Sequence, residues 1–193
     1  MSTHPLIHQL YACLAPWLAL SLLLLGRNPF LSRLRLFGSL LLALFLLRIP
    51  LGGWSLFAWC RTLEINPSFT LTGLLCVALW QRLSGQMIFR TEDWRAAWIV
   101  GTIGSLVLYP MGLGLTPIDP YSWGWGPAVP IVTAAFATLL LIRGNRFGII
   151  LILPLLGSLL NLQESANLWD ALIDPFFGIV SLGAVLYLLV CRR

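Results

Sequence analysis

The chain has 193 residues, 59% hydrophobic and 10% charged, with a mean hydropathy of +0.88 and a formal net charge of +5. Soluble domains carry about 25% charged residues, so these charges are too few to cover a water-facing surface, and lipid is the expected solvent. All twelve basic residues are arginine. That excludes lysine Schiff-base and P-loop chemistry, and arginine clustered in so apolar a chain reads as a topology or lipid signal, not a nucleic-acid footprint.

A helix crossing a bilayer needs about 20 apolar residues, or about 17 with snorkelling flanks. The first such run is 10–25, closed by Gly26 and followed by Arg27, Arg33 and Arg35. The N-terminus before it lacks the positive region of a cleaved signal peptide. A short span is expected over 36–49, then a half-helix over 51–60 at the outer interface, where Trp54 and Trp59 suit the headgroup level. The third span is expected over 66–83, followed by a polar loop over 84–94. The fourth runs from about 95 to 109 or beyond, closing at Pro110, and an aromatic, Gly- and Pro-rich loop follows, charged only at Asp119. The fifth (128–142) ends at Arg143 and Arg146. The sixth (147–162) carries Pro154 as a kink site, and the seventh is 175–190.

The expectation is therefore an all-α, polytopic transmembrane bundle in a single integral-membrane domain over 1–193. It has seven spans, or six if the 34–60 region or the short third run does not cross. Placing the N-terminus outside puts ten of twelve arginines in the cytoplasm, leaving Arg48 and Arg61 outside. The same choice sends Glu64, Asp119, Glu164, Asp170 and Asp174 to the outer face. Positive charge is retained on the cytoplasmic side, so the N-terminus is expected outside, the C-terminus inside, and the location a bacterial inner membrane.

Helix entries share one device. Asn66-Pro67 and Asp174-Pro175 pair an Asx cap with a proline that has no N–H to satisfy, and Asp119-Pro120 is expected to start an interfacial turn similarly. The segment 163–175, with three acids and no base, reads as a polar outer cap between two spans. If Asn167 caps a short helix there, Asp170 and Asp174 lie four apart on one face.

The reactive side chains gather on the expected outer face. Glu164, Asp170 and Asp119 are the candidate acid/base groups, while Arg48 and Arg61 match a phosphate or lipid headgroup. Glu64, Tyr121, Trp123, Gln163, Asn167 and Asp174 complete the cluster. Arg48 is expected to be the most membrane-buried charge, snorkelling outward or paired with Glu64 or Glu164. His4 and His8 have ligand spacing but lie in a tail expected to fray, without a third ligand, so neither metal nor cofactor is expected. The four cysteines are scattered, with no C-x-x-C. Ser158 has no histidine after His8 to activate it, and no span carries the mid-membrane acid of an ion carrier.

Gly101, Gly104 and Ser105, and later Gly178, Ser181 and Gly183, are expected to let helices approach closely, within the chain or against another protein. The leading expectation is a non-catalytic accessory subunit presenting an acidic, aromatic outer face to an envelope lipid or glycan system. Its partners would be membrane lipids, an envelope protein or a second copy, and no nucleic acid. The alternatives are a headgroup or phosphate enzyme using the outer carboxylates, and a small transporter with a site where Pro110 and Pro154 break helices.

Overall fold

A computed structural model describes residues 5–25, 33–63 and 67–191, which are predominantly helical. In order these are α1 (Pro5–Leu25), α2 (Arg33–Leu47), a hairpin of β1 (Pro50–Leu51) and β2 (Trp54–Ser55), α3 (Leu56–Leu63), α4 (Phe69–Ser84) and α5 (Thr91–Gly112). A 3-10 turn (Pro120–Trp125) then leads to α6 (Ala128–Ile142), α7 (Phe147–Leu159), α8 (Leu168–Leu172) and α9 (Pro175–Val190). Among the described residues one stretch, Ile7–Leu25 in α1, is long and apolar enough to cross a membrane, a test that signal sequences also pass. Four further apolar helices are shorter. The 13 residues of α7 rise about 20 Å against a hydrocarbon thickness of ~30 Å. Helix length alone therefore does not establish seven spans.

The bounds of α6 and α9 match expectation, and several other bounds and local features differ. The run expected over 51–60 as one half-helix instead begins with the hairpin. Gly52 and Gly53 both have positive φ (62° and 88°), the geometry a two-residue primed turn requires, and helix begins only at Leu56. Helix α4 starts at Phe69 with Ser68 as its cap, since the Ser68 hydroxyl accepts from Leu71 N; Asn66 lies outside the described residues. Helix α5 starts at Thr91, within the expected loop, because the Asp93 carboxylate reaches back to Arg90 N at 2.7 Å. Helix α7 stops at Leu159 where Asn161 turns left-handed (φ 49°), with Asn161 N bonded to Ser158 O and Leu162 N to Gly157 O. That is a Schellman closure with asparagine in the usual glycine position. Pro110 and Pro154 lie within α5 and α7 and do not terminate them.

The helices pack as α1 on α2 and α4, α4 on α7, α7 on α6 and α8, and α5 most extensively on α9. The α5–α9 seam answers where the small residues go. A Cβ on Gly101 would meet Phe177 and Ser181, one on Gly104 would meet Ile173, and one on Gly178 would meet Ser105. Each serine fills the notch of the facing glycine, so these faces are used within the chain. Gly183 faces open space. Elsewhere Gly157 lies against the Phe69 ring and Gly73 against Leu153 and Ile150, drawing α4 and α7 together.

Apolar side chains both fill the core, among them Leu74, Phe147 and Phe177, and cover much of the outside. Ser21, Ser68, Thr70 and Ser181 are fully buried, while Leu23, Ile142 and Leu159 are each more than three-quarters exposed. Exposed apolar side chains run along one face of α2 (Phe37, Leu41, Phe45) and recur on α5, α6 and α9.

Candidate functional site

Because consecutive long helices alternate in direction, the polar residues collect at two ends of the bundle. One end joins the start of α5 to the start of α7. Asp93, nearly fully buried, accepts from Arg146 N at 2.8 Å as well as from Arg90 N. Asn145 Nδ2 donates to Glu92 O, Arg146 donates to Ile88 O, and the Gln81 amide brackets the backbone of Phe89. Trp94 stacks on Trp98 with centroids 5.4 Å apart. This end holds a cap-and-turn scaffold bearing Arg82, Arg90, Arg95, Arg143 and Arg146.

The opposite end carries the candidate site. Its keystone is Asp174, 2% exposed, which caps α9 by accepting from Phe177 N (Oδ1, 2.7 Å) and also accepts from Ser68 N (Oδ2, 2.7 Å). One carboxylate thus holds the starts of two helices, where backbone N–H groups carry partial positive charge. Beside it the Pro67 carbonyl receives the Tyr11 hydroxyl at 2.7 Å and Gln163 Nε2 at 2.8 Å, joining α1, α4 and the segment after α7. His8 belongs to α1, with Nε2 3.1 Å from Asn161 O, a bond the Nε2–H tautomer makes. His8 therefore sits on a docked helix and not in a frayed tail; His4 lies outside the described residues.

The 163–175 segment is a buried plug more than an open cap. Asn167, 1% exposed, caps α8 through Trp169 N (3.0 Å) and donates to Tyr121 O (3.0 Å), while Trp169 Nε1 donates to Pro120 O at 2.9 Å. Leu168, Ala171 and Leu172 of α8 are buried below. Gly124 has no room for a Cβ because Asn167 and Trp169 occupy that position. The polar character of this stretch reports hydrogen bonds made inside the protein.

No family model, curated protein or solved structure matches the chain.

The expected face shared by Asp170 and Asp174 does not form. Helix α8 ends at Leu172, and Asp174 follows in extended backbone (φ −114°, ψ 164°) with its oxygens turned to Ser68 and Phe177. Asp170 instead accepts from the Tyr121 hydroxyl at 3.1 and 3.0 Å. Burial, then the neighbouring Asp170 carboxylate and its hydrogen bond, then Asp119, push the Tyr121 phenol up to about 12. A phenolate there would face two carboxylates, so Tyr121 stays a donor at neutral pH. Asp119 is exposed and caps the 3-10 turn through Tyr121 N at 3.0 Å.

Glu164 pairs with Arg61 at 3.5 Å, with side chains 49% and 32% exposed. Arg48 is exposed at the protein surface, in the turn between the end of α2 at Leu47 and the hairpin. Glu64 lies outside the described residues, and Trp123 is exposed on the 3-10 turn. Among the described residues no group of three or more His, Cys, Asp or Glu converges as a metal site. Of the expected cluster, Gln163, Asn167 and Asp174 are internal fasteners, whereas Arg48, Arg61, Glu164, Asp119, Tyr121, Trp123 and Asp170 reach the surface. Tyr11 and Ser68 belong to the fastening and were not singled out from sequence. For Ser68 a signal existed, a serine immediately before an apolar helical run.

Proposed function

We propose that the chain is a seven-span inner-membrane protein, N-terminus outside and C-terminus inside, acting as a non-catalytic accessory subunit that offers its plugged end to an envelope partner. The spans are α1, α2, α4, α5, α6, α7 and α9. The observation that carries the membrane part is the extent of apolar surface that the long helices expose. Serine meets glycine across the α5–α9 seam, beside Phe177 and Ile173, while leucine, isoleucine and phenylalanine also face outward from the long helices. A soluble monomer rarely exposes apolar patches beyond a few hundred Å², and a membrane interior favours small residues where helices meet. Shorter helices such as α7 fit a locally thinned bilayer, with their capped ends completing the crossing.

The accessory part rests on how the outer polar groups are spent. Both oxygens of Asp174 hold backbone N–H groups, Asp170 holds Tyr121, Asp119 holds a turn, and Glu164 faces Arg61. An acid/base enzyme needs a carboxylate aimed at a shared reacting position, and these are aimed at their own scaffold. The continuity of α5 and α7 through their prolines weighs against a transport site at broken helices. What this end offers is a surface bearing the exposed Leu113, Leu115, Ile118, Trp123 and Trp125. Photo-crosslinking from positions 118 and 123 in intact cells tests the reading. A discrete partner band that disappears with Trp123→Ala is expected. A chain that crosslinks only to lipid, or purifies alone in mild detergent, contradicts it.

A further inference from the structure

The two outer-end arginines stand apart from the rest of that surface. The other charged groups there, Asp119, Glu164 and Asp170, are acidic; His8 apart, Arg48 and Arg61 are the cations of this end among the described residues. Arg48 directly follows α2 and Arg61 lies in α3, and these two helices pack on each other and on α1. Arg61 is underused. Among the described residues its buried Nε has no hydrogen-bond partner, and its Nη2 reaches Glu164 only at 3.5 Å. Among the described residues no carboxylate lies within ion-pair distance of Arg48. The hairpin beside them presents Trp54 and Trp59, ring centroids 6.1 Å apart, with Trp59 Nε1 fixed on Leu51 O at 2.9 Å. Both tryptophans and Leu51 are exposed.

An incompletely used guanidinium, a second arginine and an adjoining aromatic, apolar platform describe an anion bound next to hydrocarbon. Tetrahedral phosphate suits this better than carboxylate, because its several oxygens can accept from two forks at once. We propose that Arg48 and Arg61 bind the phosphate of a phospholipid headgroup at the hairpin end of the bundle, with Trp54 and Trp59 against its glycerol and upper acyl chain. Glu164 is then a competitor, holding Arg61 when the site is empty. The inference rests on the membrane reading above.

The test is native mass spectrometry of the full chain in neutral detergent, titrated with phosphatidylglycerol. Arg48→Gln with Arg61→Gln is expected to weaken binding about tenfold or more, and Glu164→Gln to tighten it about two- to threefold. Arg143→Gln, at the opposite end, is expected to leave it unchanged. Displacement of the lipid by inorganic phosphate would identify the phosphate group as sufficient; resistance to displacement would identify the whole lipid as the ligand, and either supports the site. Unchanged affinity in a double variant that elutes and melts like wild type overturns it. If the double variant does not fold, weakening or no effect in Glu164→Gln overturns it instead. A chain recovered from cells without membranes sinks the membrane reading, whereas a membrane-retained chain with unaltered lipid affinity sinks this proposal alone.

Discussion

Replacing Asp174 tests whether one carboxylate holds the plugged end together. Alanine there removes the N-cap of α9, worth about 0.5–2 kcal/mol. It also strands the buried Ser68 N–H, whose lost partner costs about 1–3 kcal/mol. Together these give about 2–5 kcal/mol, and a chain of this size loses about 2–4 °C of Tm per kcal/mol. Asp174→Ala should therefore melt about 4–20 °C below wild type in mild detergent, followed by the loss of helical circular dichroism. Asp174→Asn sharpens the argument. Its carbonyl can keep Phe177 N–H, but its amide would then point a donor at Ser68 N–H, so it should retain the cap and still lose about 1–3 kcal/mol. Asp119→Ala, an exposed cap on the 3-10 turn, serves as the comparison and should cost no more than about 1 kcal/mol. Equal melting of the Asp174 and Asp119 variants, or a neutral Asp174→Asn, would refute the idea that Asp174 joins α4 to α9.

Further expectations concern the helix seam and the tyrosine. Gly101→Ala and Gly178→Ala each place a methyl where Ser181 or Ser105 now sits, so each should cost about 1–3 kcal/mol, while Gly183→Ala, facing open space, should be neutral in the same melting assay. Tyr121→Phe removes the donor to Asp170 and should cost about 1 kcal/mol, given its partial exposure. Since the folded phenol titrates near 12 against an ordinary 10.0, the stability it contributes is present below pH 10 and lost as pH rises from 10 toward 12. Absorbance titration at the phenolate band should show one late-ionising tyrosine fewer in Tyr121→Phe than in wild type.

The helices most readable from sequence were those framed by sharp punctuation. Helix α9 begins at Asp174-Pro175 and α6 ends at an arginine, and both matched at each end. Where two signals competed, local reading failed. Asn66-Pro67 looked like the better entry, yet Ser68 makes the cap of α4. Asn161 sits in a run that is apolar on both sides, so its left-handed turn and the early end of α7 were not visible. The plug shows the deeper difficulty. Polar residues between apolar runs suggest an exposed loop, but the Gln163 and Asn167 amides are buried because backbone carbonyls of Pro67 and Tyr121 need donors. Those carbonyls lie 96 and 46 residues away in sequence, and no local pattern announces them. The small-residue stripes were legible as contact surfaces, but which stripe meets which required the antiparallel placement of α5 and α9.

The claim on which the rest depends is that the two polar ends of the bundle face opposite compartments. In a chain whose four native cysteines are replaced by serine, Asn145→Cys and Ala166→Cys should be labelled differently in intact cells by a membrane-impermeant maleimide. The account predicts that the cysteine at 166 reacts from outside and that at 145 only after permeabilisation. Labelling of both from the same side would contradict it.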